Sequence, residues 1–270
     1  MSSIEIKLNL PSGKDYLSPS SAKQLAKHPM SYLAYIADKF EPNEGMIFGS
    51  YYENFLYGIE SDEFFVYDDD AVVQQAMEQY GKPTSNIRAT KVYKDLKEQM
   101  LQQAQGKHII TEEQHDNALA MATVMMESGV FDGYLDGQTQ VEKSRVIDTG
   151  EYLVKALVRS DVVMASGAVN DLKTTSSSID GFISQAKKLD YDVQAYLSME
   201  VWQVDSFTFV VQRTAGLFDV GVFTAHRDGW FFESGKRKFN KAVQNYIGWL
   251  SDDAKAFGAD PRNYVTFMDI

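Results

Sequence analysis

Asp161 is followed ten residues later by Asp171-Leu172-Lys173, a spacing at which one β-hairpin can bring two carboxylates and an ammonium together. The run 154–164 (VKALVRSDVVM) is rich in β-branched residues, Ser166-Gly167 supplies a turn, and 168–173 (AVNDLK) begins a second strand. Side chains alternate across a strand, so Asp171 and Lys173 leave one face and Leu172 the other. If the two runs pair, Asp161 reaches Asp171. Two carboxylates, an intervening backbone carbonyl and a lysine are what a divalent-metal hydrolase of phosphodiesters requires. The cation takes hard oxygen ligands, and the lysine orients an attacking water or steadies developing charge. Surface strands carry Asp and Lys routinely, so the bare pattern leaves a solvated strand edge as the plainer reading.

The elements around this pair follow from turn and cap signals. Residues 1–16 read as an extended lead-in. Ser18 or Ser20 caps a helix through Ala22 to Ala26 that stops near Pro29, and a second short helix covers Met30 to Asp38. Further helices are expected over Gly49–Tyr57, Gln74–Tyr80, Lys91–Gln105 and from Thr111 to about Ser128, the last with a buried stripe of Ala118, Met121, Ala122 and Met125. From Gln138 to Lys173 the pattern turns to strands, with turns at Asp148-Thr149-Gly150 and Ser166-Gly167. Ile179–Gln203 reads as one helix, Phe207–Gln212 and Val220–His226 as strands, and Gly235–Leu250 as a closing helix. This order describes an α/β (α+β) chain, a mixed core with an N-terminal helical elaboration.

The chain of 270 residues is 44% hydrophobic and 24% charged, the composition of an ordinary globular protein with a sizeable core. No run approaches the ~18 apolar residues of a membrane span, and MSSIEIKLNLP lacks a signal peptide's apolar centre. With no cysteine, disulfides, a thiol nucleophile and cysteine-held zinc or iron–sulfur clusters are excluded, and the expectation is a cytoplasmic protein. A histidine-based zinc site is not expected either, since His28, His108, His115 and His226 are scattered. The net charge of −12 argues against a general nucleic-acid coat, but a local basic track is compatible with it. The candidates for such a track are Lys236-Arg237-Lys238 with Lys241, and Lys187-Lys188; each reads equally as a solvated helix face.

Four segments, taken in order, resemble the exonuclease VIII-like branch of the PD-(D/E)XK nuclease superfamily found in phages and bacteria. Residues 17–33 (LSPSSAKQLAKHPMSYL) are similar to its opening S-x-S-x-L helix, and 47–57 (IFGSYYENFLY) to its helix with a glycine followed four residues later by histidine. The stretch 155–175, with Arg159-Ser160-Asp161 and Asn170-Asp171-Leu172-Lys173-Thr174-Thr175, resembles the paired metal-binding strands. Residues 189–199 (LDYDVQAYLSM) resemble the Y-x-x-Q helix, and 218–250 the closing strand and helix.

The resemblance implies a restriction-endonuclease-like core, a central mixed β-sheet flanked by helices, within one domain over 1–270: mostly helical over 1–135, with the catalytic core over 136–270. It implies a Mg2+-dependent exodeoxyribonuclease (Mn2+ as substitute) that hydrolyses linear double-stranded DNA in phage recombination or DNA processing, in the host cytoplasm if phage-encoded. Matched by position, Asp161 and Asp171 are metal ligands with the Leu172 carbonyl, Lys173 is the catalytic lysine, and Gln194 and Tyr191 lie beside them. Glu53 stands where the branch carries histidine and is expected as a further ligand, hard oxygen suiting Mg2+. The carboxylates of Glu53, Asp161 and Asp171 are thus expected to converge beside Lys173, and Glu142, on the strand before the hairpin, is a possible addition. Ser198 replaces a tyrosine of the branch, and 211–214 (VQRT) lacks its glutamate–lysine pair. The implied partners are duplex DNA, a single-strand annealing recombinase or single-strand DNA-binding protein, and further copies in a ring-shaped homo-oligomer, with no membrane. Two alternatives stay open: a catalytically weak nuclease-fold DNA-binding or recombination accessory protein, and a metal-free interaction domain using Tyr51-Tyr52 or Trp230-Phe231-Phe232 as partner patches.

Overall fold

The computed structural model describes residues 3–38, 41–82, 84–132 and 137–251. The division expected near residue 135 and the tail after 251 lie outside the described residues. Contacts divide the chain into two units: residues 1–41, 131–211 and 220–270 form the first, and 42–130 with 212–219 the second. In chain order the elements are β1 (Ile4–Ile6), α1 (Pro19–Lys27), α2 (Pro29–Ala37), α3 (Glu44–Tyr57), β2 (Phe64–Tyr67), α4 (Asp69–Tyr80), α5 (Lys91–Gln103), β3 (His108–Thr111) and α6 (Glu112–Glu127). There follow β4 (Gln138–Asp148), β5 (Tyr152–Val163), β6 (Val169–Thr175), α7 (Phe182–Lys188), α8 (Tyr191–Trp202), β7 (Ser206–Arg213), β8 (Val220–His226) and α9 (Trp230–Trp249). No helix of the described residues is long and apolar enough to cross a membrane.

The first unit is built on a mixed sheet. Among the described residues its strands run in the order β1-β5-β6-β7-β8, with β4 also paired to β5. β1 runs parallel to β5, from Ile4↔Tyr152 to Ile6↔Val154, whereas β4 and β6 run antiparallel to it. Tyr196, Phe207, Phe209, Val211, Phe239 and Val243 lie in the core that the sheet shares with α1, α8 and α9. Ser18 caps α1 through a capping box with Ser21, and Pro19 at its first turn fits because its missing N–H would have no helical partner anyway. The Trp202 indole N–H donates to Ser160 Oγ at 2.9 Å, fixing the end of α8 against β5.

The expected single helix over 179–203 is instead a 3₁₀ turn, α7 and α8. Asp190, between the two α-helices, takes φ +55°, a left-handed conformation that short polar side chains tolerate better than most. Gly235 lets α9 approach α8 closely, since a Cβ there would collide with the Asp192 carbonyl and with Tyr196.

The second unit contains a parallel pair, β2 and β3, in register from Phe64↔His108 to Tyr67↔Thr111. Its strands are 44 residues apart in sequence, and no local signal announces such a pairing. Phe48, Tyr51, Tyr52 and Leu56 of α3 are buried, as are Ala118, Met121 and Met125 of α6. Tyr51 and Tyr52 are therefore core residues rather than a partner patch. So are Phe231 and Phe232 in the first unit, while Trp230 is exposed.

Candidate active site

The β5–β6 hairpin holds both aspartates. Along β5 the side chains of Val154, Ala156, Val158, Ser160 and Val162 are buried, and Asp161 stands half-buried on the alternate face. Gly167 takes φ +85°, which costs glycine little, and its N–H donates to the Met164 carbonyl at 2.8 Å to close the turn. The register Val162↔Asn170 and Val163↔Val169 sets Asp171 across from Asp161 one step further on. At that step a side-chain contact is found: the Leu172 N–H donates to Asp161 Oδ2 at 2.9 Å.

Asp171 is only 2% exposed. Gln194 Nε2 donates to its Oδ1 at 2.6 Å, and the Lys173 ammonium forms an ion pair with Oδ2. Burial alone would lower the Lys173 pKa, but Asp171 and then Asp161 outweigh it, so the value lies above the ordinary lysine range. Lys173 is held as a cation. Its Nζ lies 5.4 Å from the centroid of the Tyr191 ring, and burial raises the Tyr191 phenol above its usual pKa. Tyr191 and Gln194 stand three residues apart on the first turn of α8 and so share a face. That turn is fixed from outside: Lys238 of α9 donates to Asp190 Oδ1 at 2.7 Å and to Asp192 Oδ1 at 2.9 Å, and Lys27 of α1 pairs with Asp190 at 3.5 Å.

The structure thus brings together Asp161, Asp171, Leu172, Lys173, Tyr191 and Gln194. Glu53, the third expected carboxylate, belongs to α3 in the second unit. Among the described residues no group of three or more His, Cys, Asp or Glu side chains is placed to hold a metal ion. Glu142 is exposed on β4, paired across the ladder with Arg159. Of the basic residues, Lys187, Lys188, Lys236, Arg237 and Lys241 are exposed. Lys187 lies over the Trp230 ring at 4.6 Å. Lys236, Arg237 and Lys241 line an open groove along α9 with Glu233, Asn240 and Gln244. Lys238 differs from its neighbours, being engaged by Asp190 and Asp192 within the fold.

Two features of this site are not readable from the sequence. Lys23 of α1 is half-buried with its Nζ 4.9 Å from the Tyr191 ring centroid, so that ring carries both lysines. Burial, then Lys173, lowers the Lys23 pKa to about 8 against the opposing pull of Asp171, Asp190 and Asp192. Its only sequence signal is its place beside the buried stripe Ala22, Leu25 and Ala26. The second feature is Gln140, at φ +54° within β4. The β4–β5 register is regular on both sides of it, Thr139↔Val162 and Val141↔Ser160, which sets Gln140 opposite Asp161.

The donor chemistry suits a hard divalent cation. Both carboxylates offer oxygen, no thiolate is available, and Asp171 Oδ2 is buried without a well-formed hydrogen bond, in contact with the Lys173 ammonium.

A family described as a PDDEXK-like domain of unknown function (DUF3799) matches residues 18–255. No curated protein matches the sequence significantly. Among solved structures, the chain is similar to a protein from Eubacterium rectale provisionally described as an exonuclease, with 14% identity over 94% of this chain and 90% of that one and a TM-score of 0.52. It is more distantly similar to a phage-related exonuclease from Haemophilus somnus, with 14% identity over 86% and 93% of the two chains and a TM-score of 0.37. An alkaline exonuclease from Laribacter hongkongensis matches at 9% identity over 69% and 90%, with a TM-score of 0.33. At such identities the first of these likenesses speaks to the fold.

Proposed function

We propose, starting from the fact that this chain belongs to the DUF3799 family of PDDEXK-like domains, that it is a divalent-metal-dependent nuclease. In the finer reading it is an exonuclease that hydrolyses phosphodiesters of linear double-stranded DNA with Mg2+, or Mn2+ in its place. One observation carries the reading: Asp161, Asp171, Lys173 and Gln194 meet at the open end of one hairpin, three of them within direct contact of Asp171 or its neighbouring backbone.

Asp161 and Asp171 would hold the cation. An extended residue sends its N–H and C=O to the same side, so the Leu172 carbonyl is expected on the side where its N–H meets Asp161. When bound, the cation offsets the charge of the scissile phosphate and lowers the pKa of water enough to give hydroxide near neutrality. Gln194 fixes the orientation of the Asp171 carboxylate through Oδ1, while Oδ2 faces the Lys173 ammonium. Lys173, kept protonated, acts as a hydrogen-bond donor to a phosphate oxygen or to the attacking water and not as the base. Tyr191 supports that ammonium from the side through its ring face.

Linear and circular duplexes incubated with the protein, in Mg2+ and in EDTA, test the proposal. Metal-dependent loss of the linear form alone is the expected result. Nicking of circles would replace the exonuclease reading by an endonuclease one, and intact DNA of both forms in Mg2+ and Mn2+ would overturn the nuclease reading.

A further inference from the structure

The acidic side chains whose charges pull on Lys23, Asp171, Asp190 and Asp192, each already have an ion-pair partner. Asp171 is paired with Lys173, Asp192 with Lys238, and Asp190 with Lys238 and Lys27. Lys23 has none: among the described residues its ammonium makes neither an ion pair nor a hydrogen bond, and its contact is the Tyr191 ring face at 4.9 Å. A half-buried charge without a counter-ion is unfavourable in the isolated protein. It is made more so by the like charge of Lys173 on the same ring. A lysine snorkelling from a helix surface would extend its head into water instead. An anion bound at Lys23 would lie close to Lys173, which shares the Tyr191 ring with it, and within the field of Asp171.

We propose that Lys23 is a substrate-anchoring residue that takes a backbone phosphate of the DNA while another phosphate is presented to Asp161, Asp171 and Lys173. The inference rests on the nuclease reading for the identity of the substrate. The chemistry suits the residue. An ammonium is a point charge that accepts phosphate in many orientations, and a backbone contact of this kind fixes register without reading sequence. Tyr191 then has two tasks, steadying both the catalytic and the anchoring ammonium through its ring.

The test is equilibrium binding of a fluorescent duplex oligonucleotide to the full chain in EDTA, where no cutting interferes, across roughly 50 to 200 mM salt. Wild type is compared with Lys23→Met, Lys23→Gln and Lys23→Arg. Losing one phosphate contact should weaken binding severalfold and reduce the slope of log K against log salt by about 1. The effect should be equal on two unrelated sequences, and Lys23→Arg should retain both values. In Mg2+ the loss for Lys23→Met should appear in KM rather than kcat, the signature of binding that ground and transition states share. Thermal melts in the same buffers show whether Lys23→Met is folded; if it is not, the comparison is made with Lys23→Gln instead. A wild-type salt slope and KM in the folded variant would overturn the assignment, as would a wild-type chain that does not bind DNA. Wild type that binds but never cuts, with Lys23→Met binding weakly, would remove the nuclease reading and leave the anchoring role standing.

Discussion

Replacing Lys23 by methionine should make the protein more stable, by an amount that depends on pH. The folded-state pKa is about 8 against an ordinary 10.5, so keeping the ammonium charged in its half-buried seat costs about 3 kcal/mol at pH 7, at 1.36 kcal/mol per pH unit. Loss of the contact with Tyr191 returns about 1 kcal/mol, leaving a net gain of about 2 kcal/mol for Lys23→Met at neutral pH. Below pH 8 the lysine is charged in both folded and unfolded chains and the full cost is present. Between pH 8 and 10.5 the unfolded chain holds a proton the folded one has released, so wild-type stability climbs relative to the variant. Above 10.5 the electrostatic part of the difference is gone. Urea unfolding of the metal-free protein at pH 7, 9 and 10.5 measures this directly, with other groups cancelling between the two proteins. A variant less stable than wild type at pH 7, or a difference that does not change with pH, would mean that the Lys23 charge carries no such penalty in the folded protein.

Two further substitutions test the scaffold of the site. Gly235→Ala puts a Cβ into the Asp192 carbonyl and Tyr196; forcing α8 and α9 apart should cost about 1–3 kcal/mol, read as a lower urea midpoint. Gln140→Val should lower that midpoint, since a β-branched residue takes the left-handed φ of +54° poorly; an unchanged midpoint would mean that this φ is not needed at the position.

The β5–β6 hairpin is legible in the sequence because its information is local. A two-residue period sets Asp171 and Lys173 on one face, a Ser-Gly turn fixes where the strand returns, and three-residue spacing places Tyr191 with Gln194 on one side of a helix. Lys23 and Gln140 are not legible for the opposite reason. Lys23 looks like any lysine at the edge of an amphipathic stripe until α1 is packed beside α8. Gln140 lacks the glycine or asparagine that usually marks a left-handed position. The break at Asp190 carries no proline or glycine, so 179–203 reads as one helix. The pair β2–β3 joins segments far apart in sequence, and Phe64–Tyr67 alone does not reveal it. Lys238 reads as one more member of a basic cluster, although its ion pairs with Asp190 and Asp192 are made within the fold, a distinction that needs the third dimension.

In the proposed reaction the Lys173 ammonium beside Asp171 stabilises charge during phosphodiester cleavage. The most direct measurement is the Mg2+-dependent rate on linear duplex DNA at saturating substrate for wild type and Lys173→Met, which keeps most of the apolar stem. A single pre-placed donor of this kind is worth about 2.7–4 kcal/mol of barrier, so kcat should fall roughly a hundredfold or more. A folded Lys173→Met protein that cuts DNA at the wild-type rate would contradict it.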